Sequence, residues 1–258
     1  MVKKIWNSLG YFKYRWKNQV KEWIHGKEEQ FHFDLDLIAP MVKTAYYNPK
    51  PFGWNTRVMF IERVVEYPLA FQALPPEPIT VLDIGSGDSP FPYHLACLGH
   101  SVHSVDILPY PLHHPNIQHH QCDAMHLPFG DNSYPLVTAI SSLEHFGLGG
   151  YGDPVKADAP FQARDEIRRV LQPRGKFIVS LPVGNEYDSV KSIKANYSVF
   201  TLERLSRFTE GFQVVDQRFF HHMDHHWLPC SPHEAFRHDS YSRGTMAIVF
   251  MVLTKSVP

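Results

Sequence analysis

The chain has 258 residues, a formal net charge of -1, 43% hydrophobic residues, 20% charged residues and 17 histidines. This composition excludes a wholly disordered or fibrous chain, and the length allows one α/β domain with an appendage. No apolar run approaches the ~18 residues of a membrane-spanning helix, and three widely spaced cysteines form no disulfide framework, so we expect a cytoplasmic protein.

The near-neutral total divides into a basic head and an acidic body. Residues 1–27 carry a net charge of +6, and the remaining residues carry -7. Apolar residues recur at three- and four-residue steps from Ile5 to Ile24, which predicts an amphipathic helix. Two roles stay open for this helix: packing on the body, which we favour, or peripheral contact with the inner face of a membrane.

Proline marks the boundary between the N-terminal part and the rest of the chain. Residues 39–56 are rich in proline and aromatic residues, which is typical of an ordered loop, and a helix is predicted over 56–73. Pro75, Pro76 and Pro78 then break the chain. We therefore predict a basic amphipathic helix (1–27), a helical and loop cap (28–78) and one catalytic or binding domain (79–258).

Strand and helix signals alternate from residue 80 onward. The predicted strands are 80–84, 101–105, 116–120, 135–140, 175–181, 212–220 and 246–253, and the predicted helices are 90–98, 162–171 and 200–208. Alternation of this kind predicts a doubly wound, mostly parallel sheet with helices on both faces. The last two strands have no helix signal between them, which predicts an antiparallel pair at the edge.

The first chemical signal is a glycine turn, Asp83-Ile-Gly-Ser-Gly87, directly after the first strand. Glycines at this place let a ligand approach the backbone closely. Pro90 spoils the G-x-G-x-x-G pattern of a dinucleotide site, and Asp83 would repel phosphate, so the turn favours a cationic ligand.

Three further signals follow at the ends of later strands. Asp106 ends the second strand, where an acid can hold both ribose hydroxyls of a nucleoside. Asp123-Ala124 follows the third strand, and Ser141-Ser-Leu-Glu-His145 ends the fourth. With the glycine turn, these four motifs in order on alternating elements resemble the class I (Rossmann-like) S-adenosylmethionine-dependent methyltransferases, over roughly residues 79–258.

The resemblance implies a seven-stranded sheet with an antiparallel last strand and S-adenosylmethionine as cofactor. It implies that Gly85 and Gly87 pass under the methionine moiety and that Asp83 lies near its ammonium. It also implies that Asp106 binds the ribose, that Asp123 and the Ala124 amide read the adenine edge, and that Ser141 lines the cofactor. Ser86 and Ile107 are the remaining predicted cofactor-binding residues.

The segment 144–154, with its E-H-x-G-L-G-x-Y-G-D-P pattern, resembles a bacterial group associated with polysaccharide or cell-surface glycan pathways. This resemblance suggests a small-molecule acceptor, with a hydroxyl oxygen of a sugar or glycan precursor as the candidate. A hydroxyl needs a base, so we predict that His145 is the general base and that Glu144 orients it or the substrate. The alternative is that both residues only shape the cofactor pocket.

A histidine-rich segment lies near the end of the chain. We predict that it forms a loop beside the acceptor, and that the substrate is contacted by Tyr151, His221, His222, His225 and Trp227. These histidines have no fixed zinc spacing, so no metal site is predicted.

Three alternative functions stay open. A nicotinamide-dependent oxidoreductase is disfavoured by the spoiled glycine pattern, and a nucleic-acid methyltransferase by the acidic body, so no nucleic-acid partner is expected. A catalytically silent nucleoside-binding module would keep the fold without the reaction. The oligomeric state is not indicated by the sequence.

Overall fold

The computed structural model describes residues 62–185, 189–191, 196–223, 226–237 and 247–256, which all belong to one compact unit. The predicted basic helix and the cap up to residue 61 lie outside the described residues. The helices are α1 (Arg63–Ala73), α2 (Phe91–Cys97), α3 (Ala159–Val170), α4 (Leu202–Thr209) and α5 (Pro232–Ala235), with a 3-10 turn at Leu143–His145.

The strands of the main sheet are β1 (Thr80–Ile84), β2 (Ser101–Asp106), β3 (Ile117–Gln121), β4 (Tyr134–Ile140), β5 (Leu171–Pro182), β8 (Phe212–Met223), β9 (His226–Cys230) and β10 (Ala247–Lys255). Two short strands, β6 (Ser189–Lys191) and β7 (Asn196–Ser198), pair separately. The strand order is β3-β2-β1-β4-β5-β10-β8-β9. Strands β1 to β5 run parallel, and β10 runs antiparallel to both β5 and β8. The predicted fold class is confirmed.

The sheet has one strand more than the expected seven. Strand β8 continues to Met223 and pairs with β9, so that His222 lies opposite Trp227 and Met223 opposite His226. The expectation of a loop at His221, His222 and Trp227 is therefore wrong, because backbone pairing extends the sheet through the histidines.

Burial on both faces explains the apolar composition of the central strands. Residues Val81 to Ile84 on β1 are all buried, as parallel strands covered by helices should be. Leu82 belongs to the apolar layer beside α3 and α4, whereas Val81 belongs to the layer beside α1 and α2. Pro135 in β4 coincides with a shift in register against β5, because proline cannot donate to the ladder.

Helix α1 packs within the second layer. Tyr67 of α1 lies 5.0 Å from Phe91 of α2 between ring centroids, and Ala70 is fully buried. This contact brings the first turn of α1 to the end of the sheet where β1 and β4 terminate. Within the described part of the chain, no helix combines the length and the apolar character needed to cross a bilayer.

Candidate active site

A cleft of about 580 Å³ lies beyond the carboxyl ends of β1, β2 and β4. It is at the point where the strand order reverses, which is where open α/β sheets bind their ligands. The cleft brings together most of the residues predicted from the sequence: Gly85, Ser86, Gly87, Asp106, Ile107, Asp123, Ala124, Ser141, His145 and Tyr151.

The glycine turn fits tightly against its neighbours. Gly85 has a φ of +73°, and a Cβ atom there would lie 2.5 Å from the Cβ of Ser142. Its N–H donates to the carbonyl of Val105 at 2.8 Å. Because only glycine combines this conformation with this approach, the backbone itself forms one wall of the cleft.

Asp83 lies beneath the turn and does not line the cleft. It is 4% exposed and accepts hydrogen bonds from the Thr138 hydroxyl at 2.6 Å and the Ser86 hydroxyl at 2.9 Å. Burial raises the pKa of Asp83 to about 7. In this geometry Asp83 fixes the shape of the turn, because the donors that hold its carboxyl group belong to the turn and to β4.

Asp106 joins the end of β2 to the turn. One carboxylate oxygen accepts the N–H of Gly87 at 2.8 Å, and the other accepts the N–H of Leu108 at 2.8 Å. Each oxygen keeps further lone pairs, so the held carboxylate can still accept hydrogen bonds from a pair of neighbouring hydroxyls. Asp123 is held in a similar way by the N–H of Met125 at 2.8 Å.

Ser141 connects the end of β4 to helix α1. It has a φ of +43°, its hydroxyl donates to Glu66 at 2.6 Å, and its N–H donates to the Ser180 hydroxyl at 3.0 Å. Glu66 is fully buried, and burial raises the pKa of its carboxyl group. These bonds hold a residue in an unfavourable backbone conformation at the edge of the cleft.

Glu144 and His145 occupy the 3-10 turn after β4. The His145 side chain is 24% exposed and lines the cleft, with its Nε2 atom 3.9 Å from Glu144 Oε1. Glu144 is buried, and burial raises the pKa of its carboxyl group to about 8. Its second oxygen, Oε2, has no hydrogen-bond partner among the described residues. The pair therefore combines a buried, readily protonated carboxyl group with an imidazole facing the cleft.

A glycine-containing loop covers the same end of the cleft. Asp153 accepts the N–H of Gly147 at 2.8 Å and that of Tyr151 at 3.3 Å, which closes the loop on itself. The Tyr151 ring lies edge-on to the His145 ring, 5.8 Å away between centroids. The loop thus presents an aromatic ring beside the imidazole.

Comparison with known proteins gives one family match and many fold matches. Residues 82–179 match the model of a methyltransferase domain. These residues contain the glycine turn, Asp106, Asp123 and His145. The match places residues 82–179 in a methyltransferase domain, and the fold is that of the class I S-adenosylmethionine-dependent methyltransferases. The match supports a methyltransferase over an oxidoreductase.

The solved structures support the same fold. A 1,6-didemethyltoxoflavin N1-methyltransferase from Burkholderia thailandensis has a TM-score of 0.52 at 16% identity, over 89% of this chain and 93% of that one. A SAM-dependent methyltransferase from Methanosarcina mazei has a TM-score of 0.55 at 15% identity, over 74% and 99%. The cyclase SpnF has a TM-score of 0.51 at 16% identity, over 86% and 94%, so the fold alone does not fix a reaction. No curated protein sequence matches the chain.

The cleft of this methyltransferase fits the superfamily's cofactor. Its volume lies within the usual range for small-ligand sites. A Cβ atom at Gly87 would lie 3.8 Å from Asp106 Oδ2, so the turn and the carboxylate form one continuous surface. Backbone without side chains, next to a held carboxylate, suits a nucleoside with an amino-acid tail.

Sequence reasoning missed the contribution of α1. Arg63 lines the cleft, and Glu66 bonds to Ser141, although both come from the predicted cap. Their signal was two opposite charges three residues apart on a helix with apolar neighbours. That pattern is common on solvated helix surfaces, and only the packing of α1 turns it toward the methyltransferase site.

Not all predicted substrate residues join the cleft. His221 and His222 lie on β8 and Trp227 on β9, and none of the three lines it; His225 lies outside the described residues. Trp227 instead borders a second cavity of about 690 Å³ between α1 and the β8–β9 hairpin. Within the described ranges, no three His, Cys, Asp or Glu residues are grouped to hold a metal ion.

The raised pKa of Glu144 predicts a pH-dependent stability. Between about pH 4.5 and 8 the folded protein binds more protons at Glu144 than the unfolded chain does, so the free energy of unfolding falls as pH rises through this window. Glu144→Gln removes this proton, and we expect its free energy of unfolding to decline less steeply than that of the wild type.

Urea unfolding of the wild type and of Glu144→Gln at about pH 5 and about pH 9 measures how far the free energy of unfolding of each protein declines with pH. The pKa of Asp83 is also raised, so its carboxyl group makes the free energy of unfolding decline with pH in the same direction, at lower pH. Some decline therefore remains in Glu144→Gln, and Asp83→Asn is the matched comparison. Equal slopes in the wild type and Glu144→Gln would contradict the assignment.

Proposed function

We propose that the protein methylates a hydroxyl oxygen of a small molecule, with a sugar or glycan precursor as the candidate acceptor. The observation that carries this proposal is His145, an imidazole at the end of β4 that faces the cleft beside the glycine turn. An amine or thiolate acceptor has less need of a base, whereas a hydroxyl benefits from a group whose pKa lies near the working pH.

The proposed cofactor site follows the cleft from the turn to the end of β3. Gly85, Ser86 and Gly87 lie under the methionine moiety, and Ser141 flanks it from β4. Asp106 accepts hydrogen bonds from the ribose hydroxyls, with Ile107 beside it. Asp123 and the Ala124 amide contact the adenine edge. Asp83 acts from beneath, by holding Ser86 at 2.9 Å.

S-adenosylmethionine supplies a methyl group that is already activated on a sulfonium. The protein therefore has two tasks, to align the acceptor oxygen and to remove its proton. In our proposal the hydroxyl proton passes to the imidazole of His145 as the oxygen acquires the methyl group. Glu144, with Oε1 3.9 Å from His145 Nε2, orients the ring.

The acceptor side of the cleft combines one aromatic ring with polar groups. Tyr151 from the covering loop and His145 lie edge-on to each other, so a ring-shaped acceptor can contact both. The Burkholderia enzyme carries 1,6-didemethyltoxoflavin together with S-adenosylhomocysteine, which supports a small molecule as the acceptor class.

Charge supports a small molecule over a nucleic acid. The cleft is lined by four aspartates, Asp88, Asp106, Asp123 and Asp153, and the body of the chain carries a net charge of -7. Such a surface repels a phosphate backbone. Peripheral membrane contact through residues 1–27 belongs to this proposal as an expectation, which vesicle co-sedimentation of the full chain tests.

A radiolabel screen tests the acceptor class. The protein is incubated with methyl-labelled S-adenosylmethionine and fractionated bacterial extract, and we expect label in a small-molecule fraction. A methyl ether resists alkali, a methyl ester releases methanol, and a methylated amine binds a cation exchanger. Label that is released by alkali, retained as an amine or found in nucleic acid would overturn the proposal.

A further inference from the structure

The end of the cleft beyond β3 is made of chain that has no regular structure of its own. Within the described residues 122–133, here called the β3–β4 segment, there is neither a helix nor a strand. Asp123 and Ala124 from this segment line the cleft, and the Asp123 carbonyl accepts the N–H of His126 at 2.9 Å. A segment without a ladder of backbone hydrogen bonds needs other groups to pair with its backbone and fix its shape.

A guanidinium from α3 supplies hydrogen bonds to this segment. Arg169 donates from Nη1 to the Phe129 carbonyl at 2.7 Å and from Nη2 to the Leu127 carbonyl at 3.0 Å. Nη1 also donates to Asp131 Oδ1 at 2.8 Å, and Nε and Nη2 each donate to Glu166 at 2.8 Å. Guanidinium has five N–H donors in a rigid fork, and these bonds use all five. The role of Arg169 is therefore to hold the chain around it.

Glu166 holds the same part of the segment from the other side. Its Oε2 atom accepts the N–H of Leu127 at 2.9 Å, while Arg169 binds the Leu127 carbonyl. The hydrogen bonds from Arg169 lower the pKa of the Glu166 carboxyl group, so this group stays charged at neutral pH. The Leu127 side chain is buried in the apolar layer beside α3. One ion pair and one apolar contact thus fix the chain four positions after Asp123.

The far end of the segment is tied to the same part of α3. The N–H of Asn132 donates to the Arg169 carbonyl at 3.0 Å, and the N–H of Ser133 donates to the Val170 carbonyl at 2.7 Å. Lys255 of β10 donates to Asn132 Oδ1 at 2.6 Å. The second half of the segment is therefore anchored to α3 and β10, and the part that lines the cleft extends from this anchor.

We propose that Arg169 and Glu166 are positioning residues for adenine recognition, because they fix the segment that carries Asp123. The inference rests on the proposed function, in which the Asp123 carboxylate and the Ala124 amide contact the adenine edge. Neither Arg169 nor Glu166 is among the described residues that line the cleft, so both act through the backbone that they hold. A hydrogen bond weakens steeply as its distance and angle depart from their best values, so a small displacement of the segment is enough to lose recognition of the base.

Calorimetry with two ligands isolates recognition of the base. In S-inosylhomocysteine a carbonyl oxygen replaces the amino group of the adenine in S-adenosylhomocysteine, and the neighbouring ring nitrogen carries a proton. We expect the wild type to bind S-adenosylhomocysteine about 10- to 100-fold more tightly, because its amino group can donate to a carboxylate. In Arg169→Lys we expect this preference to fall to about threefold or less, since lysine keeps the charge but loses the planar fork. The affinity for S-inosylhomocysteine should stay at the wild-type value.

A matched substitution controls for the loss of an arginine from α3. Arg168→Lys makes the same change at the neighbouring position, where the exposed side chain lies against Gly211, and it should keep the full preference. Glu166→Gln is the second test variant, which carries the test if Arg169→Lys does not fold. It keeps an acceptor for the N–H of Leu127 and removes the charge that pairs with Arg169, so we expect a preference between those of the wild type and Arg169→Lys.

A double-mutant cycle tests whether Arg169 acts through Asp123. Asp123→Ala removes the carboxylate that we place against the base, so this variant should lose the preference by itself. Adding Arg169→Lys to Asp123→Ala should then change the ratio of the two Kd values by less than about twofold, because the group that Arg169 positions is already gone.

Three results would overturn the inference. The first is that Arg169→Lys and Glu166→Gln keep the wild-type preference, and the second is that they weaken both ligands equally, as a general loss of stability would. The third is a further loss of preference when Arg169→Lys is added to Asp123→Ala. A wild type that binds the two ligands equally would overturn the placement of adenine together with this inference, whereas the methyl acceptor is tested separately by the radiolabel screen.

Discussion

Substituting alanine for Gly85 is expected to weaken S-adenosylhomocysteine binding by about 100-fold and to lower the free energy of unfolding by about 3 kcal/mol. The new Cβ atom would lie 2.5 Å from Ser142 Cβ and 3.0 Å from Ser142 Oγ. Both atoms belong to Ser142, which follows β4, so this segment or the glycine turn must move. Either movement displaces backbone that we place under the methionine moiety.

Gly99→Ala separates the clash from the backbone conformation. Gly99 has a φ of +92°, and its nearest neighbour to a new Cβ atom is Pro78 Cγ at an ordinary 3.4 Å. We expect this control to lose about 1 kcal/mol of stability and to bind S-adenosylhomocysteine as the wild type does. Calorimetry and urea unfolding measure both quantities, and wild-type binding by Gly85→Ala would place the cofactor elsewhere.

The sequence was sufficient to predict the parts of the fold that depend on local pattern. The glycine turn, Asp106 and the strand-helix alternation each follow from short-range chemistry. The strands from β1 to β4 lie within about one residue of their predicted bounds, whereas β5 begins earlier than predicted, at Leu171. The cleft also gathers the residues predicted at the ends of β1 to β4, because parallel strands end at one edge. Those predictions needed only the order of the motifs.

Long-range packing determines the features of the fold and of the site that the sequence did not predict. The role of Glu66 depends on a bond to Ser141, 75 positions away, and no local pattern encodes that partner. The β8–β9 pairing was missed because the histidine-rich run lacks the alternation of apolar and polar residues that predicts a strand, whereas pairing with β10 fixes β8 as far as His221. Asp83 shows a third limit, since its type and place were predicted but its burial beneath the turn depends on Thr138 from β4.

His145→Ala is expected to lower kcat by about 100- to 10,000-fold, the usual contribution of a general base, while the Kd for S-adenosylhomocysteine stays within about threefold. The imidazole faces the cleft, so its removal takes away the proton acceptor and leaves the glycine turn and the Asp106 carboxylate in place. The measurement is kcat and KM on the acceptor found by the radiolabel screen, with calorimetry for the Kd. His233→Ala, on the exposed surface of α5, is the control.

Added imidazole distinguishes a base from a residue that only shapes the pocket. A lost proton acceptor is restored in part by a small base that diffuses into the cleft, so His145→Ala should regain activity with imidazole, in proportion to its unprotonated form. Glu144→Gln should behave differently, because the imidazole of His145 remains and only its orientation is less well fixed. A fall in S-adenosylhomocysteine affinity that matches the fall in kcat, without rescue, would instead make both residues part of the cofactor wall. That outcome would leave the aligned methyl donor as the main source of rate, and it would favour an acceptor that needs no base.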